Sequence, residues 1–177
     1  MTAIIKKWRT SNPNICKLWR DVEAAAFSAI KSKSPTSCQK DISFQVVDDF
    51  LFIGLPSGRK LAYFKPRIIK KDGKESLAYD GNIQSSGGWG QTSTWGGKLV
   101  ENIVQAIARD CLALAMLRLD AAGYKIVMHV HDEIVCEMPI GNGSLADVID
   151  IMCQPIDWAD GLLLAADGYE SSFYRKD

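Results

Sequence analysis

"IVMHVHDEIVCEMP", residues 126–139, is the stretch on which the fold turns. Ile126, Val127, Val130, Ile134 and Val135 are residues of a buried strand pair. Only His131 and Asp132 separate the two runs, with no Gly, Pro or Asn to mark a turn. The spacing predicts strands over 124–130 and 133–139 joined by a very tight hairpin. Asp132 and Glu133 then stand among apolar neighbours, where a lone desolvated carboxylate would cost several kcal/mol, so a compensating charge is expected.

A cation answers that need. Adjacent acids at a bend need not point the same way. Their hard oxygens suit magnesium, which takes one or two carboxylates and completes its shell with water and substrate phosphates. Zinc is disfavoured, because His129 and His131 alternate across a strand and no third soft ligand lies nearby. A structural pair in which His131 and Asp132 cap the hairpin by hydrogen bonding also fits the residues.

Upstream, "KLVENIVQAIARDCLALAMLRLDAAG" carries a wide apolar stripe through Ile103, Ile107, Cys111 and Leu114, and Gly123 closes it. Glu101, Gln105 and Arg109 recur every four residues and share a face, flanked by Lys98 and Asn102. Spacing alone leaves open a solvated strip. "SNPNICKLWRDVEAAAFSAI" predicts a second amphipathic helix, with Ser11 and Asn12 as cap candidates and Pro13 at its first position. Its inward residues are Ile15, Leu18, Trp19, Val22, Ala26 and Ile30, and residues 3–9 are expected to form a short preceding helix or the tail of a longer one.

Between the helices, residues 42–79 hold short Val/Ile/Phe/Tyr-rich runs broken by "LPSGR" and "KKDGKE", which predict antiparallel hairpins with Asp72-Gly73 as one turn. "SSGGWGQTSTWGG", 85–97, has five glycines and no periodicity and is expected to be a loop; it is no Walker phosphate loop. Downstream, "SLADVIDIMC" predicts a short helix capped by Ser144, and "GLLLAADGY" one more strand. The class is α+β: an antiparallel sheet with the 131–132 hairpin, long helices and extra hairpins over about 42–80.

At 177 residues the chain suits one ordinary core. No membrane span or signal peptide is evident, so a soluble intracellular protein is expected. The five scattered cysteines show no CxxC spacing and are expected to be reduced thiols. Net charge is zero but polarised: residues 1–100 carry 16 Lys+Arg against 8 Asp+Glu, and 132–177 carry 2 against 10. Two solvated faces of opposite sign would account for that polarity.

"GGKLVENIVQAIARD", "GYKIVMHVHDEIVCEMP" and "LAADGYESSFYRKD", in this order and spacing, resemble the C-terminal portion of a family-A DNA polymerase, the DNA polymerase I type, especially its bacteriophage members. "WRTSNPNICKLWRDVEAAA" and "LPSGRKLAYFKP" resemble the same subgroup, so the likeness covers nearly the whole chain. It implies one partial polymerase domain. Residues 1–34 would form the fingers–palm junction, 42–97 the hairpins and Gly-rich loop, 98–123 a DNA-facing helix, and 124–177 the palm with its motif C.

The resemblance also implies roles. Asp132 matches the motif C aspartate that binds catalytic magnesium, Glu133 its less essential neighbour near the metals, and His131 a residue near the primer terminus. Gln105 matches a glutamine that hydrogen-bonds the primer–template minor groove, where acceptors lie similarly for every correct pair. Arg109, Asn102 and Lys98 join it as expected DNA contacts. Glu101 falls where cellular relatives carry an asparagine, a role Asn102 could take.

Two-metal nucleotidyl transfer needs ions held about 4 Å apart, more than one carboxylate can hold. The family's second aspartate, in motif A, and the triphosphate-gripping residues of motif B are not found in this sequence. The expectation is a C-terminal piece of a split or truncated polymerase, inactive alone. Its partners would be primer–template DNA, dNTP and an N-terminal chain carrying motifs A and B, with no membrane, in the cytoplasm of a bacterial host. The alternative is a non-catalytic nucleic-acid-binding remnant using the basic 59–74 segment, and a fragment with no separate role also fits.

Overall fold

The computed structural model describes residues 2–39, 41–71, 73–83 and 87–175. The chain divides into two compact units, residues 1–105 and 106–177. The architecture is α+β, as the hydrophobic patterning predicts.

The first unit opens with α1 (Ala3–Ser11) and α2 (Pro13–Ser32). Pro13 takes the first helical position, where its missing N–H costs nothing. Asn12 sits at the junction, but its amide donates to the Trp8 carbonyl at 2.8 Å instead of capping α2. The helix stops at Lys33, left-handed at φ 56°, whose N–H returns to the Ala29 carbonyl. Val22, Ala25, Ala26, Ala29 and Ile30 are buried, but Ile15 is 41% exposed. The inward face is therefore shorter than the sequence predicts. The sheet packs on α2, while its first turns meet α1 through Trp8 stacked on Trp19 at 5.7 Å.

Six strands follow: β1 (Thr36–Ser37), β2 (Ser43–Val47), β3 (Phe50–Gly54), β4 (Lys60–Lys71), β5 (Lys74–Ile83) and β6 (Gly88–Thr94). They pair antiparallel in sequence order. Asp48 and Asp49 make a two-residue turn closed by the Val47–Phe50 pair. At the β4–β5 connection Gly73 has φ 74°, as the expected hairpin requires, whereas Asp72 lies outside the described residues. The loop expected over 85–97 is corrected in its centre. Residues 88–94 form β6, bonded along β5 from Leu77–Thr94 to Ile83–Gly88, while Ser85 and Ser86 lie outside the described residues. The sheet's two faces differ: Phe44, Leu51, Ile53, Tyr63 and Leu77 are buried, and the alternating residues of β3 and β4 point the other way.

Helix α3 (Gly96–Ala121) contributes residues to each unit. In the first, Leu99, Val100 and Ile103 are buried, and the Gly96 N–H donates to the Glu23 carboxylate at 3.1 Å. In the second, Leu112, Ala115 and Leu119 are buried. Gly123, at φ 85°, ends the helix, and the Tyr124 N–H reaches back to the Leu119 carbonyl.

The rest of the second unit holds β7 (Lys125–Val130), β8 (Glu133–Glu137), α4 (Leu145–Met152) and a single 3-10 turn at Asp157–Ala159. The Ser144 hydroxyl caps α4 by accepting from the Asp147 N–H, as predicted. The strand expected over 161–169 is not formed: Gly161 has φ 76° and Leu163 is 94% exposed. An apolar run becomes a strand only beside a sheet edge that receives it, and no strand among the described residues pairs with this segment.

Candidate functional site

The hairpin is as tight as its sequence requires. Val130 pairs with Glu133, leaving His131 and Asp132 as the entire turn. His131 adopts φ 51°, the left-handed geometry that a two-residue turn demands and that glycine would normally supply. The register slips between Ile126 and Met128, so Val127 is an extra residue on β7 and bends the strand next to the acids.

The premise of a buried carboxylate is corrected. Asp132 is exposed, and nothing among the described residues hydrogen-bonds or ion-pairs with it. Nor is the strand pair buried: Val127 is 50% exposed, and Ile126, Val130, Ile134 and Val135 are half-buried. The turn projects the aspartate beyond the apolar runs. The alternative of a His131–Asp132 capping pair also finds no bond. Glu133 is half-buried and bears on Tyr174, whose phenol is pushed above its ordinary value, first by desolvation and then by the Glu133 charge.

Asp132 in the turn and Glu133 at the start of β8 are hard oxygen donors adjacent in sequence, a fit to magnesium in kind but not in number. Among the described residues no group of three or more His, Cys, Asp or Glu side chains is arranged to hold a metal. Two adjacent acids alone do not complete a magnesium shell.

The expected DNA contacts divide. Gln105 is exposed near the middle of α3, and Arg109, one turn on, is exposed in the second unit. The Arg109 guanidinium lies 3.4 Å from both ring nitrogens of His129 on β7. Lys98 is held by both Glu101 oxygens at 3.0 Å. The Asn102 amide donates to the Tyr63 hydroxyl at 2.9 Å, which ties it to the sheet. Sequence reading missed the Arg109–His129 contact, although a strand of period two places His129 and the apolar Val130 on opposite faces.

In a comparison with curated proteins, the chain is 53% identical, over 179 residues, to the DNA polymerase of Bacillus phage SP02. The whole of this chain is similar to part of that enzyme. It spans 28% of that polymerase's length. No family model matches the chain, and no solved structure matches it.

Proposed function

We propose that this chain is the C-terminal, palm-containing piece of a family-A phage DNA polymerase and works in template-directed nucleotidyl transfer on primer–template DNA. The observation that carries this reading is the 53% identity to a phage DNA polymerase along the full chain. The exposed, unpartnered Asp132 at the tip of β7–β8 adds a chemical reason.

Asp132 is the motif C ligand in this reading. Glu133 is its neighbour at the metals, and His131 fixes the turn beside the primer terminus. Asp132 and Glu133 would help hold magnesium, which would supply Lewis-acid activation of the primer hydroxyl and charge stabilisation for the leaving pyrophosphate of the dNTP. The second carboxylate and the triphosphate-binding side chains come from protein outside these residues, an N-terminal chain carrying motifs A and B. Gln105 and Arg109 reach the primer–template, Gln105 toward minor-groove acceptors and Arg109 toward a phosphate. Lys98 and Asn102 reach DNA only by leaving Glu101 and Tyr63, so their share is smaller. Half-exposed apolar residues on β7–β8 fit a surface that further protein covers, and the bacterial host's cytoplasm is the proposed location.

The test is primer extension with magnesium, using the chain alone and mixed with an N-terminal chain that carries motifs A and B. No extension alone and extension in the mixture are expected. Asp132→Ala should then lower the rate by at least about 100-fold. Equal extension by that variant would defeat the assignment.

A further inference from the structure

The outer face of the six-stranded sheet, which the polymerase reading does not use, carries an aromatic strip. Phe50 and Phe52 on β3 stack at 5.8 Å, Phe50 faces Phe64 across the β3–β4 pair at 5.1 Å, and Phe64 approaches Trp89 on β6 at 6.5 Å. Rings that belonged to a core would be covered. Here Trp89 is 69% and Phe50 37% exposed, and both are on the face opposite the buried Leu51, Ile53 and Tyr63. Two lysines lie against the strip, Lys60 over the Phe52 ring at 5.9 Å and Lys65 over Phe64 at 5.1 Å. Acids are near it too. Asp80 is neutralised by Arg67 at 2.7 Å, and both line a cleft shared by Asp48, Asp49, Lys33 and Lys65.

From this face we infer a binding platform for single-stranded DNA, separate from the 131–133 hairpin and independent of the polymerase reading. Unpaired bases offer flat π faces that stack on exposed rings, and a duplex hides those faces. Phosphates linking successive bases meet the lysines that flank the rings. The charge of the segment fits a polyanion: residues 59–74 hold seven Lys or Arg and one acid. A protein partner would be served by the rings but would not call for that excess of cations.

The test is fluorescence anisotropy of a labelled oligo-dT of about 20 nucleotides, long enough for several stacked bases, titrated with the 177-residue chain in EDTA. Saturable binding that weakens with salt is expected. Trp89→Ala should weaken it about tenfold, as should Phe50→Ala, because stacking on one ring is worth about that factor. Lys60→Gln with Lys65→Gln should flatten the salt dependence by about 1.4 in log–log slope. If Phe50→Ala fails to fold, Trp89→Ala decides, since that ring stands mostly in solvent. An abasic oligonucleotide of equal length should bind weakly and ignore the Trp89 change. The inference is overturned if the parent chain shows no saturable binding or if Trp89→Ala binds as tightly as the parent. Equal affinity for the abasic strand would overturn it too, as would a Trp89→Ala effect on self-association but not on DNA.

Discussion

Asp132 and Tyr63 sit at opposite ends of what a single side chain contributes. The Asp132 carboxylate is exposed and makes no hydrogen bond or ion pair among the described residues, so removing its charge breaks no polar contact of the fold. Asp132→Asn is expected to leave the thermal midpoint within about 2 °C of the parent, which a melting curve checks, although extension by the mixed chains is lost. Tyr63 is buried, its ring edge against Tyr79 at 4.9 Å and its hydroxyl accepting from Asn102. Tyr63→Phe strands the Asn102 amide and should cost about 1 kcal/mol in urea unfolding. Burial also pushes the Tyr63 phenol above its ordinary 10.0, and the Cys38, Cys111 and Cys136 thiols above 9.0. A group with a raised folded pKa holds its proton longer in the native state than in the unfolded one. Its contribution is complete below the unfolded value and is lost as pH climbs through the folded one. Unfolding free energy should therefore be flat from about pH 7 to 8.5 and fall above about 9. The part of the fall above about 10 should shrink in Tyr63→Phe.

Elements meet closely where α3 starts against α2. A Cβ on Gly96 would lie 2.0 Å from the Trp19 carbonyl oxygen and 2.8 Å from its carbon, both backbone atoms that cannot swing aside. Gly96→Ala is therefore expected to cost about 2–3 kcal/mol by chemical denaturation. Glu23→Ala, which deletes only the acceptor for the Gly96 N–H, should cost about 1 kcal/mol. Near-equal losses would mean that the hydrogen bond, not the close approach, sets that junction. The same scale separates what the sequence makes legible from what it hides. α2 and α3 carry their own periodicity and stop signals, and the 131–132 hairpin is legible as two apolar runs parted by two polar residues. β6 carries no such signal: its two glycines and lone tryptophan become a strand because β5 offers a paired edge. The 161–169 run fails for the converse reason, apolar residues with no edge to join. Residue type singles out Asp132 but hides its exposure, because a two-residue turn lifts its side chains out of the layer that the flanking strands define.

Over the whole chain the two units are unequally endowed. Among the described residues, sixteen buried apolar side chains belong to residues 1–105 and six to residues 106–177. The second unit also exposes Leu117, Val127, Ile140, Leu163 and Phe173. Local stability follows buried apolar contact, and a two-stranded sheet that no other strand among the described residues extends is marginal. Amide hydrogens of β7 and β8 should exchange at least about tenfold faster than those of β3 to β5, a gap that mass spectrometry of the intact chain resolves. Under the proposed assembly, an N-terminal chain carrying motif A would cover the open hairpin. Adding it should slow exchange in β7 and β8 and leave β3 to β5 unchanged. Strong protection of the hairpin in the chain alone would remove the need for a covering partner. Protection gained equally in both units would point to general stabilisation instead of a partner docked at Asp132.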